Sequence, residues 1–291
     1  MPREVLVVGA TGTLGGMISR RLLDQRRAVR ILARGGSAYQ PLEDAGAEVA
    51  KGDLKQRSSL DEACKGVSTV VTTANSALRG PPDTVESVDL AGNRNLIDAA
   101  RGAGVRQFVF VSALGADPQS PVPFMQAKAR TEAYLKESGI PYTIVSPNLY
   151  MEVWIGMVVS AALQAGRAVT LVGEGRRRHS FISMQDVAKF VTASIDNPAA
   201  MNRQLVLGGP QAVSWREILA TFERVRGARV TSHWVAPGTE IAGLPPVMVA
   251  MLGTLETYDS PVESDKLAKE YAVSLTSVEQ FARSAAPPGG K

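Results

Sequence analysis

Residues 4–15 read Glu-Val-Leu-Val-Val-Gly-Ala-Thr-Gly-Thr-Leu-Gly, an apolar run that breaks into three glycines at three-residue spacing and continues as a helical pattern. A strand that turns directly into a helix commits the chain to a βα unit, because the buried strand needs the helix as cover. Each glycine does something a Cβ would prevent: Gly9 permits the tight turn, Gly12 lets backbone approach an anion, and Gly15 lets helix touch strand. Open N–H groups at the helix start attract phosphate. Gly9, Thr11, Gly12, Thr13, Leu14 and Gly15 therefore read as a diphosphate cradle. The strand before it, the helix after it and a second strand ending about twenty residues later match a dinucleotide site.

The same alternation continues through the first half of the chain. Short β-branched runs at Glu4–Val8, Ala28–Ala33, Ala47–Lys51, Thr69–Thr73, Gln107–Val111 and Tyr142–Val145 predict strands buried on both faces. Helical patterns at Leu14–Gln25, Ser59–Cys64, Val85–Ala103 and Met125–Ser138 are long enough to serve as crossovers. The expected fold class is α/β: a doubly wound (Rossmann), mostly parallel sheet with a smaller C-terminal substrate lobe. The boundaries are 1–148 for the dinucleotide-binding domain and 149–283 for the lobe, with a strand at 204–207 returning to the sheet and 284–291 as a disordered tail. Within the lobe, helices are expected at Val153–Ala165 and Val187–Asp196, the latter opened by a capping box at Ser183–Asp186. A strand at Ala168–Leu171 and a helix at Trp215–Arg226 capped by Ser214 complete the reading.

The end of the second strand selects the coenzyme. An acid there would bond the ribose 2′-hydroxyl of NAD, whereas arginine suits the 2′-phosphate of NADP. The sequence is Ile31-Leu32-Ala33-Arg34-Gly35-Gly36-Ser37, without a carboxylate. Arg34 can fork onto a phosphate and Ser37 can add a hydroxyl donor, so NADP(H) is the expected cofactor.

Other classes are excluded by simple counts. Thirty-two Lys and Arg against 28 Asp and Glu leave a net charge of +4 without massed basic residues beyond Arg176-Arg177-Arg178, which argues against nucleic acid. The single cysteine, Cys64, can form neither an intrachain disulfide nor a multi-cysteine metal site, so no metal is expected. The longest uncharged apolar stretch, Val153–Leu163, falls short of the roughly 18 residues of a membrane span. With no secretory leader in view, a cytoplasmic protein is expected, with a homodimer held open.

These features together resemble the short-chain dehydrogenase/reductase superfamily, and within it the atypical NmrA-like group of NADPH-dependent quinone reductases and redox-sensing regulators. The likeness rests on the glycine loop, Gly52-Asp53-Leu54, Val111-Ser112-Ala113, Lys128 and the run Tyr142-Thr143-Ile144-Val145-Ser146-Pro147-Asn148. It implies that Asp53 and Leu54 face the adenine, that Ala74 and Asn75 line the adenosine ribose, and that Pro147 and Asn148 border the nicotinamide. The superfamily's Tyr-x-x-x-Lys acid pair falls here on Phe124 and Lys128. Lys128 can keep a ribose-binding role, but Phe124 has no proton to give. Ser112 matches the substrate-orienting serine.

Reduction of an isolated ketone needs a placed proton donor, whereas a quinone takes hydride to become a delocalised phenolate that water can protonate. The expected reaction is thus hydride transfer from NADPH to a small conjugated acceptor, with Lys128 and Ser112 as the catalytic residues. Phe124, Leu149, Tyr150, Trp154 and His179 are the candidates for its pocket, which should be mostly apolar. The competing class is a sensor that binds NADP(H) and a protein partner without turnover. An epimerase or dehydratase is disfavoured by the missing tyrosine.

Overall fold

A computed structural model describes residues 4–77 and 79–285. The chain divides into two compact units: the described residues up to Pro147 with Val187–Leu205, and Asn148–Asp186 with those from Val206 onward.

The first unit is built on a sheet whose strands follow the sequence pattern closely: β1 (Val5–Val8), β2 (Val29–Ala33), β3 (Glu48–Lys51), β4 (Thr69–Thr72), β5 (Gln107–Val111) and β6 (Tyr142–Pro147). With β7 at Val169–Val172 and β8 at Arg203–Leu207, the sheet order is β3-β2-β1-β4-β5-β6-β8. Val5 pairs with Val29 on one side and Thr69 on the other, and every pair from β3 through β6 is parallel. Strand order reverses between β1 and β4, and open α/β sheets bind ligands at the carboxyl ends of strands around such a reversal. The central strands are apolar on both faces because helices cover both. Leu6, Val8, Val70, Phe108, Phe110 and Ile144 share one core with Leu60, Leu96, Ile97 and Leu135.

The reading of Val85–Ala103 as one helix is refined in its winding. Val85–Gly92 is a π-helix that runs into the α-helix Asn93–Gly102. Thr84 opens it with a reciprocal cap: Ser87 N donates to Thr84 Oγ1 at 3.1 Å, and Thr84 N donates to Ser87 Oγ at 3.0 Å.

The second unit has its own core, in which Trp154, Phe181, Trp215, Phe222 and Leu252 are buried together. Its two-stranded parallel sheet pairs β7 with β9 (Ser232–Val235). The helix Trp215–Arg226 carries the Ser214 cap, reciprocated by Glu217, and ends on Gly227 at φ 65°. The helix expected at Val187–Asp196 begins earlier than its sequence pattern suggested. The helix spans Met184–Ser194, Glu152 accepts bonds from Met184 N and Ser183 Oγ, and the Asp186 carboxylate accepts from Thr276 N and Oγ1. A tail beginning at Ser284 is also corrected in part, since Ser284 and Ala285 close the helix Val278–Ala285; residues 286–291 lie outside the described residues.

Candidate dinucleotide site

Between β1 and the helix Thr13–Asp24, the three glycines differ in what they must do. Gly9 sits at φ 87°, where a side chain would be strained, and a Cβ there would lie 2.6 Å from Thr73 Oγ1. A Cβ on Gly15 would lie 2.1 Å from Gly9 O, so helix and turn are in backbone contact. Gly12 donates to Gly9 O at 3.0 Å and accepts from Gly16 N at 2.8 Å as the first helical bond. This leaves the N–H groups of Thr13, Leu14 and Gly15 without helical acceptors, and no acidic residue stands in the first turn. Thr11, Gly12 and Thr13 are exposed, as a cradle requires.

A cavity of about 800 Å³ lies beside this loop within the same unit. Thr11, Arg34, Ser37 and Asp53, all singled out from sequence, line it together with Lys51, Lys55 and Arg79. Ser37 is turned in by the Gly35-Gly36 bend, where Ser37 N donates to Arg34 O at 3.1 Å. Asp53 accepts from Lys55 N through Oδ1 at 2.8 Å and donates its own N–H to Ser59 Oγ at 3.1 Å. Lys51 Nζ stands 3.3 Å over the Tyr39 ring. Arg34, Lys55 and Arg79 all bond the Asp83 carboxylate, at 2.7, 2.8 and 3.2 Å. These cations hold the Asp83 carboxyl far below the usual carboxylate range.

Leu54 and Ala74 pack with the unit's core instead of lining the cavity, and Leu54 meets the helix at Gly92, where a Cβ would lie 2.9 Å from Leu54 Cγ. Asn75 is spent on local backbone, donating to Thr73 O and accepting from Ala77 N.

A second polar cluster gathers at the carboxyl end of β5. Lys128, on the helix Pro123–Glu137, is 2% exposed; its ammonium donates to Val111 O at 3.2 Å and lies 3.8 Å from Asp89 Oδ1. The rings of Phe110 and Phe124 flank it at 4.8 and 5.3 Å. Desolvation pulls the Lys128 ammonium below its ordinary value, against the opposing pull of Asp89 and Glu132. Ser112 donates to Glu132 Oε1, and burial pushes the Glu132 carboxyl up. Glu132 Oε2 lies 3.9 Å from the half-exposed Lys136 Nζ. The π-helix delivers Asp89: its Oδ2 accepts from Ser76 N and Oγ, while its backbone O accepts from Thr131 Oγ1. Lys55, Arg79, Asp83, Asp89 and Glu132 were absent from the sequence reading. Glu132 carries a usable signal, four residues after Lys128 on one helix face; Asp83, in a Pro-Pro-Asp loop, carries none.

Pro147 ends β6 and accepts from Leu114 N at 2.9 Å. In the second unit, Asn148 donates through Nδ2 to Ser260 O at 2.8 Å. Trp154 is buried in the unit's core and Leu149 packs against it. Desolvation raises the Tyr150 phenol well above its ordinary value, which makes it a reluctant proton donor. His179 is 1% exposed, with Nδ1 2.7 Å from Ser260 Oγ and Nε2 3.1 Å from Leu255 O. Both ring nitrogens are thereby engaged, and burial lowers the pKa. The basic run is neutralised locally: Arg176 pairs with Glu174, Arg177 with Asp259 and Arg178 with Glu217. Among the described residues, no group of three or more His, Cys, Asp or Glu could hold a metal ion, and no helix is long and apolar enough to cross a membrane.

A mostly parallel, doubly wound sheet with a glycine cradle at its first βα turn defines a Rossmann-type protein. The sequence matches the NmrA-like family over residues 1–281, and the chain belongs to that family. It is 35% identical over 230 residues to the photosystem II assembly factor Ycf39 of Cyanophora paradoxa, covering 78% of this chain and 71% of the relative. It is 30% identical over 226 residues to the NAD(P)H azoreductase of Xenophilus azovorans, with 78% and 75% covered. The fold superposes on the NADPH-dependent quinone oxidoreductase QOR2 of Escherichia coli, crystallised with NADPH, at a TM-score of 0.80 and 23% identity, covering 96% of this chain and 98% of that one.

Proposed function

We propose that the chain binds NADP(H) and reduces a small, electron-poor conjugated acceptor such as a quinone. The observation that carries this reading is the juxtaposition, in one unit, of the glycine cradle with a cavity lined by Arg34, Lys51, Lys55 and Arg79. The residues fit the coenzyme. Open N–H groups of Thr13, Leu14 and Gly15 suit a diphosphate, Gly15 leaves no room for a side chain, and the guanidiniums and Ser37 suit a further phosphate. The relative named as an NAD(P)H azoreductase and the quinone oxidoreductase crystallised with NADPH support the assignment.

Bound NADPH would supply the hydride. Lys128 would present its ammonium donors to ribose hydroxyls, since Val111 O takes only one of three. Phe124, which meets that ammonium where the superfamily has a phenol, offers no proton. The acceptor must therefore carry its own negative charge, as a quinone does in becoming a phenolate whose acid has a pKa near 10 and which water protonates. Ser112, donating to Glu132, would orient an acceptor oxygen.

The test is a spectrophotometric screen of the purified chain for NADPH oxidation with quinones, azo dyes, aldehydes and ketones. Turnover is expected with quinones and not with simple ketones. Arg34→Ala should weaken NADPH binding by about 10- to 100-fold while leaving NADH binding nearly unchanged. Equal wild-type affinities for NADPH and NADH would overturn the coenzyme assignment.

The 35% identity to a protein named as an assembly factor favours a second reading, in which the bound dinucleotide regulates association with a protein partner without turnover. Micromolar NADPH binding with no acceptor reduced would give this reading the lead.

A further inference from the structure

The cation cluster at the cavity already has an anionic partner of its own. Arg34 comes from the end of β2, Lys55 follows β3, and Arg79 and Asp83 follow β4, so three separate segments meet on one carboxylate. The Asp83 side chain is 7% exposed, whereas the Arg34 and Arg79 side chains are 40% and 42% exposed. The three cations are among the residues that line the cavity, and Asp83 is not. Carboxylate and phosphate make the same demand on a guanidinium, a planar fork of donors, and donors turned toward one are withheld from the other. Arg34, Lys51, Lys55 and Arg79 against Asp53 and Asp83 leave a surplus of two positive charges, close in size to the negative charge of a phosphate monoester.

We propose that Asp83 is an internal anion that competes with the 2′-phosphate of the coenzyme for Arg34, Lys55 and Arg79, and so determines how strongly the chain prefers the phosphorylated dinucleotide. This rests on the dinucleotide reading above. Because the three cations keep the carboxyl ionised, the competition operates throughout the working pH range. The opposite role, a strut that preorganises the cations for phosphate, predicts the opposite sign.

Calorimetric titration of the full chain with adenosine 2′,5′-bisphosphate and adenosine 5′-monophosphate separates these outcomes. Asp83→Asn keeps the size of the side chain and removes its charge. The ratio of bisphosphate to monophosphate affinity should rise about tenfold over wild type, the loss of one charged competitor. An unchanged or lower ratio, with wild type binding both compounds, would overturn the inference and leave the dinucleotide site standing. Wild type that binds neither compound would overturn both. Should the variant fail to fold, hydrogen exchange of the wild type decides. Residues 79–84 should exchange faster under saturating bisphosphate than under saturating monophosphate, because the phosphate releases Asp83, and equal or slower exchange would refute the competition.

Discussion

Glu132 shows how one side chain can report on its surroundings. Its carboxyl accepts from Ser112 and sits close to Lys128 and Lys136, yet desolvation outweighs these partners and raises its pKa. A carboxyl raised on folding contributes stability that is fully present below its unfolded pKa and is lost as pH rises through the folded value. Glu132→Gln removes that loss while keeping a polar partner for Ser112. Relative to wild type, the variant should therefore gain stability as pH is raised above the ordinary carboxylate range, as read from urea unfolding midpoints. A constant difference above that range would mean that the carboxyl titrates normally. At this scale, sequence reading singles out Arg34, Ser37, Lys128 and Ser112 because motif position marks them. It missed Asp83 and Asp89 because such counter-charges follow no local pattern: Arg34 and Lys55 reach Asp83, and Lys128 reaches Asp89, from other segments.

The elements were legible where burial is symmetrical. Strands β1, β4 and β5 are buried along their whole length, so their apolar runs are continuous and their ends abrupt. β9, Ser-His-Trp-Val, is half-exposed and has no such run, and it escaped notice. The π-winding of Val85–Gly92 was equally hidden, because apolar spacing does not separate a short π segment from the α-helix it runs into. The glycine cradle makes the sharpest prediction about an element. Gly15→Ala places a methyl 2.1 Å from Gly9 O and should cost about 1–3 kcal/mol of unfolding free energy. Gly35→Ala meets nothing within 4 Å and should stay within about 0.5 kcal/mol of wild type. Chemical denaturation of both variants checks the contrast, and equal effects would mean that the helix can shift away from the turn.

For the molecule as a whole, the sequence pattern suggested a division near residue 148 with a strand at 204–207 returning to the sheet, and no shift in composition warned that the whole of Val187–Leu205 is grouped with the earlier residues. That segment is tied in by specific bonds. Gln107 Nε2 donates to Ser194 O at 2.8 Å, Asp196 N donates to Gln107 Oε1 at 2.9 Å, and Arg27 pairs with Asp196 at 2.6 Å. A fragment ending at Pro147 loses all three, along with β8 beside β6. It should therefore show no cooperative thermal transition and a weakened near-ultraviolet circular dichroism signal, where the full chain shows both. A sharp transition in the fragment would show that the first six strands suffice. The chain crosses between its two units three times, after Pro147, Asp186 and Leu205. On the ribosome β6 emerges first, and the strand that covers its flank follows only after an excursion through the other unit. Until then the nascent polypeptide carries a bare, sticky sheet margin, the period when a chaperone would matter most.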